Sequence, residues 1–324
     1  MYKAFYKLNR NPFDITPDPY FFLPTPHHNE ALATLYYGVR SRKGFVVVTG
    51  EVGTGKTLLL QCLLNFLNSN RVAFSFVFNA LLTPEEFFCY VLRDLGLTQV
   101  YRNKSETLMA LNEFLIRRHR QGLSTALVID EAHLLGSELL EEIRLLTNLE
   151  TAQQKLLQIV LVGQPELDRK LDSAHLRQLK QRITLRCRLE PLTENESAAY
   201  IRRRLHLAGA NSAASAIFPD AAAEVIFRYS RGIPRLINTI CENALISGYA
   251  RQANSITPEM IEEVANDFRL NVVATPAAPE FTLTAERVAR LERLLGAIEP
   301  MAPQPRSQVW AVARKEKVSR EPSF

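Results

Sequence analysis

Short apolar runs alternate with longer amphipathic segments between residues 44 and 190. The runs are rich in Val, Ile, Leu and Phe, and they predict five strands at 44–48, 71–78, 125–129, 156–162 and 183–189. The segments between them repeat apolar residues at helical spacing, as Leu108, Leu111 and Leu115 do within 105–120. Fully apolar strands that alternate with helices are typical of a sheet covered on both sides. The pattern predicts an α/β domain over 44–190 with a parallel five-stranded sheet.

From Pro191 onward the apolar spacing is helical only. Thr193 and Glu196 stand three residues apart, as in a capping box, and start a helix that is predicted to end near Gly209. Three more helices are predicted at 220–230, 234–251 and 258–268. We therefore expect an all-helical lid domain over residues 191–269.

Residues 1–43 combine aromatic residues with prolines at a density that disfavours a long helix. They predict a strap of extended chain and turns, followed by a helix near 30–38 that leads into the first strand. The simpler interpretation is a strap packed on the core. The alternative is that part of it lines the pocket for the adenine of a nucleotide.

The last part of the chain predicts three further segments. Residues 270–283 are rich in Ala, Pro and Thr and predict a linker. Residues 284–299 place Val288, Leu291 and Leu295 at helical spacing, which predicts an amphipathic helix that docks on a partner or on the protein itself. Residues 300–324 predict a basic, disordered tail.

The charge is uneven along the sequence. The formal net charge is +5, and the tail from residue 306 contributes +3 of it, with five basic and two acidic residues. The composition alone therefore gives no argument for a DNA-binding body. The four cysteines are far apart and lack metal-ligand spacing, which predicts reduced thiols in a cytoplasmic protein. No apolar run approaches the roughly 20 residues of a membrane helix.

Residues 49–57 read Thr-Gly-Glu-Val-Gly-Thr-Gly-Lys-Thr and fit the phosphate-loop (P-loop) pattern G-x-x-x-x-G-K-[ST]. A predicted strand precedes the motif and a predicted helix follows it, as the motif requires. Lys56 is expected to contact the β and γ phosphates of ATP, and the Thr57 hydroxyl is expected to ligate Mg²⁺. The predicted nucleotide contacts within the motif are Gly50, Glu51, Val52, Gly53, Thr54, Gly55, Lys56, Thr57 and Leu58.

Asp130 and Glu131 follow the apolar strand at 125–129. An aspartate at that position can hold Mg²⁺ through water, and the adjacent glutamate can polarise the attacking water. The alternative is a strand that ends in acids at a surface turn. The P-loop upstream favours the catalytic interpretation. Residues 130–133 also spell a helicase box, but other helicase motifs are not apparent, so His133 is expected to begin the next loop.

Gln164 and Arg235 are two further candidates. Gln164 follows the strand at 156–162 and can sense the γ phosphate or position the water, or it can cap the next helix. Arg235 is predicted in the first turn of a helix, where a cation opposes the helix dipole, and this indicates a functional reason for it.

Seven motifs together carry a family resemblance. The chain resembles the ExeA/GspA family of AAA+ ATPases, with which MshM-like pilus-biogenesis ATPases are grouped, over about residues 1–269. The motifs are Asn-Pro-Phe at 11–13, Thr-Pro-Asp-Pro at 16–19, the P-loop at 50–57, Asp-Glu-Ala-His at 130–133, Gly-Gln-Pro-Glu-Leu at 163–167, Leu-Arg-Gln-Leu-Lys-Gln-Arg-Ile at 176–183 and Gly-Ile-Pro-Arg-Leu-Ile-Asn at 232–238.

The resemblance implies an AAA+ module with ATP and Mg²⁺ between the α/β domain and the lid, and a ring-like or other homo-oligomer. It suggests Arg182 as the residue that reaches the γ phosphate of a neighbouring subunit, with Arg177 as the alternative. It also suggests Gln164 as a sensor at the strand tip and Arg235 as the sensor of the lid. Each arginine has the alternative of a solvated charge.

Three functions are consistent with these residues. The first is an ATPase for assembly of an envelope secretion, pilus or polysaccharide-export system. The second is a nucleotide-gated scaffold with little turnover. The third is a DNA-associated AAA+ ATPase of the transposition-helper type, suggested by three arginines at 202–204 and the basic tail, although such a run is more often a solvated face.

The location follows from the family comparison and the absence of a long apolar run. ExeA itself has a membrane helix and a peptidoglycan-binding domain after the lid, and neither is recognisable in this sequence. We expect a cytoplasmic protein without a membrane span, peripheral to the inner membrane through an envelope-assembly partner.

Overall fold

The computed structural model describes residues 1–99, 101–210 and 214–270. The predicted linker, amphipathic helix and basic tail lie outside the described residues beyond Leu270. No helix in the described residues is long and apolar enough to cross a membrane.

Five strands form one parallel sheet in the order β2-β3-β4-β1-β5. The prediction of a parallel five-stranded sheet is therefore confirmed. The strands are β1 (Phe45–Gly50), β2 (Ala73–Val77), β3 (Thr125–Ile129), β4 (Leu157–Gly163) and β5 (Leu185–Leu189). Because all strands are parallel, the turns after β1, β3 and β4 share one edge, and β4 separates the other two.

Helices cover both faces of the sheet. Two pack on one face and five on the other, and the side chains of β1 to β4 alternate between two buried clusters, one on each face. The first pair is α2 (Pro26–Arg40) and α3 (Lys56–Ser69). The second group is α4 (Pro84–Asp94), α5 (Lys104–Arg120), α6 (Ser137–Leu146), α7 (Pro165–Leu171) and the short α8 (Arg177–Lys180).

The lid is helical throughout its described residues, as predicted. Its helices are α9 (Glu194–Leu205), α10 (Ala214–Ile217), α11 (Asp220–Ser230), α12 (Pro234–Ala250) and α13 (Pro258–Asp267). Thr193 and Glu196 form the reciprocal bonds of the predicted capping box. The α-helix ends earlier than predicted, at Leu205, and continues as a π-helical turn over His206–Ala210, where Gly209 has φ 109°.

The first 21 residues belong to the core of the lid. Tyr2, Tyr6, Phe13 and Phe21 are buried in one cluster with the lid helices, after a short helix α1 (Tyr2–Phe5). The first half of the strap thus packs on the lid, whereas its second half packs on the sheet. Its second half is α2, which begins at Pro26 and is longer than the predicted helix because proline is compatible with the first turn.

Arg204 attaches the strap to the lid. The residue is 5% exposed, and its guanidinium donates to the carbonyl of Pro12, the hydroxyl of Tyr200 and the amide oxygen of Asn238. It also lies over the ring of Phe21, 4.7 Å from the centroid. The three arginines at 202–204 therefore do not form one solvated face.

Candidate nucleotide-binding site

The P-loop connects β1 to α3 with the backbone angles that its glycines predict. Gly53 has φ 83° and Gly55 has φ 102°, values that side chains with a Cβ rarely adopt. Gly55 is the residue before α3, so the amides of the loop and the positive end of the helix lie together. This is the backbone arrangement that binds phosphate in proteins.

Lys56 is the first residue of α3 and is 7% exposed. Its ammonium donates to the carbonyls of Gly50 and Glu51, at 2.8 Å each, so the side chain folds back over the loop. Burial lowers the pKa of Lys56, and the nearby carboxylates of Glu131 and Asp130 oppose that shift. Lys56 and the two acids are 74 or more residues apart in the sequence. In the fold they lie close enough for the carboxylates to affect the pKa of Lys56.

Asp130 leaves β3 on the same edge of the sheet. Its backbone N–H donates to Val77 at 2.9 Å, and its carboxylate accepts from the N–H of Glu131 at 2.8 Å. Burial raises the pKa of Asp130, while the Glu131 N–H and the charge of Lys56 act in the opposite direction. A buried carboxylate beside an ammonium is suited to hold a cation.

Glu131 adopts φ 49° and ψ 37°, a left-handed conformation that is uncommon for residues other than glycine. Its carboxylate lies 3.3 Å from Nδ1 of His133 and 3.4 Å from the side-chain nitrogen of Gln164. Gln164 follows β4, whose last residue, Gly163, is paired with Thr49 of β1. Gln164 therefore lies between the P-loop and the acidic pair, where a strand-tip sensor is expected.

His133 lies in a 3-10 turn over Ala132–Leu134, so it does begin the loop after β3. One side chain holds that turn in place through two hydrogen bonds. Lys170 donates to the carbonyls of His133 and Leu135, at 2.6 Å and 2.7 Å. Its position on α7 was not recognised in the sequence.

The lid contacts the P-loop directly through the first turn of α12. The backbone N–H of Arg235 donates to the carbonyl of Gly53 at 3.2 Å. A Cβ on Gly53 would lie 2.8 Å from Cβ of Arg235 and 2.9 Å from Cγ2 of Ile233, so only glycine fits. The side chain of Arg235 is exposed. Because the backbone of Arg235 contacts Gly53, the residue lies beside the predicted phosphate site.

His28 is a contact of the P-loop that sequence reasoning missed. This α2 residue is 5% exposed, with Nε2 3.0 Å from the carbonyl of Thr54 and Nδ1 2.6 Å from the hydroxyl of Thr25. Nε2–H donates and Nδ1 accepts, since the Thr54 carbonyl can only accept. Burial lowers the pKa of His28, which agrees with a neutral ring. The strap thus contacts the loop by histidine, but no contact with adenine is shown.

The donor set fits a magnesium ion bound together with a nucleotide. Thr57 is exposed on the first turn of α3, and Asp130 lies on the same sheet edge. Among the described residues, no group of three or more His, Cys, Asp or Glu side chains could hold a metal alone. This suits Mg²⁺, which in proteins commonly takes one or two protein ligands and completes its shell with phosphate oxygens and water.

Thr49 extends the site into the sheet through a second feature that was not predicted. Its hydroxyl donates to Asp168 on α7 at 2.8 Å, and the other carboxylate oxygen of Asp168 accepts from Arg186 on β5. The two contacts tie β1, α7 and β5 together directly below the P-loop.

Arg182 is far from the P-loop of its own chain. Arg182 lies three residues before β5, at the amino-terminal edge of the sheet, and the P-loop follows the opposite edge. The six residues of β1 separate the two edges by about 17 Å. Arg182 and Arg177 are both exposed, and within the described part of the chain neither side chain has a hydrogen bond or ion pair. Arg182 therefore lies out of reach of the P-loop of its own chain.

Comparison with known proteins agrees with this geometry. A family model described as an AAA domain matches residues 39–171, which include the P-loop, the acidic pair and Gln164. General secretion pathway protein A of Aeromonas hydrophila is 42% identical over 261 residues, which are 79% of this chain and 46% of that protein. The chain belongs to the ExeA/GspA-like AAA+ family. It spans about half the length of this curated relative.

Two solved structures show where the AAA+ fold recurs. Cdc6p from Pyrobaculum aerophilum has a TM-score of 0.59 at 20% identity, over 80% of this chain and 72% of that one. A Drosophila ORC structure bound to DNA has a TM-score of 0.60 at 16% identity, over 83% of this chain and 66% of that one. At these identities the likeness is one of fold, and an AAA+ fold with a P-loop is a nucleotide-binding fold.

Proposed function

We propose that this AAA+ protein is a Mg²⁺-dependent ATPase whose turnover drives or regulates the assembly of a cell-envelope secretion, pilus or polysaccharide-export system. The observation that carries the proposal is the shared sheet edge of Lys56, Asp130 and Glu131. The name of the Aeromonas relative supports the envelope role. An envelope-assembly protein is the proposed partner, and the proposed location is the cytoplasm beside the inner membrane.

Binding uses the P-loop and the two predicted metal ligands. The loop amides and Lys56 hold the phosphates, and a phosphate oxygen replaces a loop carbonyl as acceptor for the lysine. Thr57 and Asp130 hold Mg²⁺, which when bound neutralises charge that develops on the β and γ oxygens. Asp130 must be ionised for this role; burial raises its pKa, and the N–H of Glu131 and the charge of Lys56 act against that shift and favour the ionised form.

Hydrolysis uses Glu131 and Gln164. Glu131 polarises the water that attacks the γ phosphate, and Gln164 orients that water or the carboxylate from the tip of β4. Arg235 reports nucleotide state to the lid through the first turn of α12. Arg182 of a neighbouring subunit completes the site, so the proposed active form is a homo-oligomer.

The decisive test compares Glu131→Gln with Glu138→Gln, an exposed glutamate on α6 that serves as the matched control. Phosphate release by Glu131→Gln should fall by about 10²-fold or more, because general-base catalysis contributes on that order. Binding of a fluorescent ATP analogue should persist. Equal phosphate release by the two variants would refute the catalytic role of Glu131.

The trans arginine has its own test. Subunits with Lys56→Ala lack a working P-loop, and subunits with Arg182→Ala lack the arginine. A mixture should regain part of the activity, because the wild-type Arg182 of one subunit faces the intact loop of the other. Arg177→Ala replaces Arg182→Ala in the matched experiment, and recovery only with Arg177→Ala would assign the role to that residue.

Nucleotide-gated assembly with little turnover is the second candidate. The buried Lys56 and the lid contact with Gly53 support nucleotide binding equally in both cases. Oligomer size in ADP, ATP and a non-hydrolysable analogue, measured together with turnover, separates them. Assembly in ATP with negligible phosphate release would favour the scaffold.

A further inference from the structure

The carbonyl oxygen of Thr54 in the P-loop depends on a side chain from outside the loop. Thr54 is fully buried, so its carbonyl has no access to water. Nε2 of His28 lies 3.0 Å from that oxygen and donates to it. Among the hydrogen bonds of the described residues, this carbonyl accepts from no other group. Because a buried carbonyl without a donor costs free energy, the conformation of Thr54 depends on His28.

The orientation of this carbonyl fixes the direction of the next amide. The peptide bonds of the described residues are all trans, and in a trans peptide the carbonyl and the following N–H point in opposite directions. Because the Thr54 carbonyl points toward α2, the N–H of Gly55 points away from α2. Within the described part of the chain, this N–H has no hydrogen-bond acceptor. Such N–H groups are the ones that bind phosphate oxygens in a P-loop.

The other polar groups of Thr54 are satisfied within the loop itself. Its backbone N–H and its hydroxyl both donate to the carbonyl of Glu51, at 3.3 Å and 2.8 Å. Only the Thr54 carbonyl relies on another element. The next residue is also in contact with that element, since a Cβ on Gly55 would lie 3.1 Å from Nε2 of His28. The imidazole therefore packs against both residues of the peptide that it orients.

His28 is itself held in one position and one tautomer. Thr25, the N-cap of α2, accepts from the backbone N–H of His28 at 3.3 Å, and its hydroxyl lies 2.6 Å from Nδ1. Because Nε2 carries the proton that is donated to Thr54, Nδ1 of the neutral ring accepts from the Thr25 hydroxyl. The ring of Phe22 contacts the imidazole edge-to-face, with the centroids 6.1 Å apart. The donor is therefore aimed at the loop before any nucleotide binds.

The segment that holds His28 also connects the P-loop to the lid. Phe21 is buried in the cluster of the lid helices, and Phe22 packs against the cluster formed by α2, α3 and the sheet. The chain therefore passes from the lid core to the P-loop contact between Phe21 and His28. The P-loop is contacted from two sides, by His28 at Thr54 and by the first turn of α12 at Gly53.

We propose that His28 is a positioning residue for the phosphates of the nucleotide, because its Nε2–H holds the Thr54 carbonyl so that the N–H of Gly55 points into the phosphate site. The inference rests on the proposed nucleotide-binding function and extends it to a residue outside the P-loop. His28 acts through the backbone of the loop. Without its donor, the peptide between Thr54 and Gly55 rotates to find another partner for the carbonyl, and the N–H of Gly55 turns away from the phosphates.

The test measures the affinity of the full chain for a fluorescent ATP analogue in the presence of Mg²⁺. His28→Leu keeps an apolar side chain in the buried position but removes the donor. It should weaken binding about tenfold, the effect of one lost hydrogen bond. His28→Gln offers an amide N–H in place of Nε2–H, so it should restore most of the affinity that His28→Leu loses.

Tyr36→Phe is the matched control on the same helix. Tyr36 is 6% exposed, and its hydroxyl donates from α2 to the carbonyl of Cys62 on α3 at 3.3 Å. The variant therefore loses one hydrogen bond from a side chain of α2 to a backbone carbonyl, but that carbonyl lies outside the P-loop. It should lose thermal stability and bind the ATP analogue as the wild type does. Wild-type affinity in His28→Leu, equal weakening in Tyr36→Phe, or no recovery in His28→Gln would overturn the proposal.

Nuclear magnetic resonance of the nucleotide-free protein separates this inference from the proposed function. The ring nitrogens of His28 in the wild type should show the neutral tautomer with the proton on Nε2, a measurement that needs no variant. The amide resonance of Gly55 should broaden in His28→Leu but not in Tyr36→Phe, because the freed peptide samples more than one orientation. A proton on Nδ1, or a sharp Gly55 resonance in His28→Leu, would refute the role of His28 even if ATP binds. The expected spectra from a wild type that binds no ATP would refute the proposed function instead.

Discussion

Arg204→Ala should detach the N-terminal strap from the lid and destabilise the whole lid. The side chain is 5% exposed and makes three hydrogen bonds, to Pro12, Tyr200 and Asn238. The rings of Phe21 and Tyr200 lie on its faces. Alanine removes all of these contacts; the carbonyl of Pro12 loses its donor, and Tyr200 and Asn238 keep only the hydrogen bond between them, at 3.0 Å.

The expected cost follows from these contacts. Hydrogen bonds from a charged donor contribute about 1.5–3 kcal/mol each, and a desolvated cation–π contact contributes up to about 2 kcal/mol. The carbonyl of Pro12 can regain water once the strap moves, which lowers the sum. We therefore expect a loss of about 4 kcal/mol in the free energy of unfolding, or a decrease of roughly 10 °C in Tm.

Urea unfolding of Arg204→Ala is compared with that of Arg203→Ala, its exposed neighbour on α9. Arg203→Ala should change the free energy of unfolding by less than about 0.5 kcal/mol. Amide hydrogen exchange should accelerate over residues 1–21 in Arg204→Ala only. Equally small losses in the two variants would refute the role of Arg204 in attaching the strap.

Two further predictions concern the contacts around the P-loop. Gly232→Ala should prevent folding of the lid or cost more than about 3 kcal/mol in chemical denaturation, because a Cβ there would lie 1.8 Å from the carbonyl oxygen of Leu192 at φ 73°. Gly122→Ala is the control, because Gly122 has φ 74° but no heavy atom lies within 4 Å of an added Cβ. Its loss in the free energy of unfolding should reflect the backbone strain alone. Burial lowers the pKa of His28 in the folded protein below its ordinary value of 6.5. Between the folded and the unfolded pKa, the unfolded chain therefore binds more protons than the folded protein does. The free energy of unfolding should decrease as pH falls through that window. The glutamine in His28→Gln keeps a hydrogen-bond donor but does not titrate, so the free energy of unfolding of this variant in urea should depend less on pH than that of the wild type. The same pH dependence in both proteins would exclude His28 as its cause.

The elements of the α/β domain were predictable because their signals are local. The bounds of β3, Thr125–Ile129, agree with the predicted strand, since both of its faces are buried and both of its ends are marked by polar residues. The apolar spacing that starts at α6 continues beyond the end of that helix. Leu146 and Leu149 continue its apolar spacing, but the helix ends at Leu146, where Thr147 closes a turn onto Arg144.

The P-loop and the acidic pair were recognisable for a related reason, because each motif is contiguous and follows a strand. The sheet order brings the two motifs to one edge, with β4 between them. The assigned roles of Gln164, Arg182 and Arg235 stay predictions, although the fold places Gln164 and Arg235 beside the loop and Arg182 at the far edge.

Contacts between distant segments left no local signal. His28 precedes the loop that it contacts by 26 residues, and nothing in its neighbours marks it. Arg204 is indistinguishable in sequence from Arg203, yet one is buried and the other exposed.

The position of the strap also sets an order of events during synthesis. Tyr2 donates to Glu242 across 240 residues, and Tyr6 donates to the carbonyl of Ala253. The ribosome therefore releases the strap long before its helical partners exist, while the P-loop and all five strands are complete by residue 189. The sheet can form first, while the aromatic residues of the strap are still exposed. The N-terminal segment of the nascent chain is therefore prone to aggregation until the lid emerges from the ribosome.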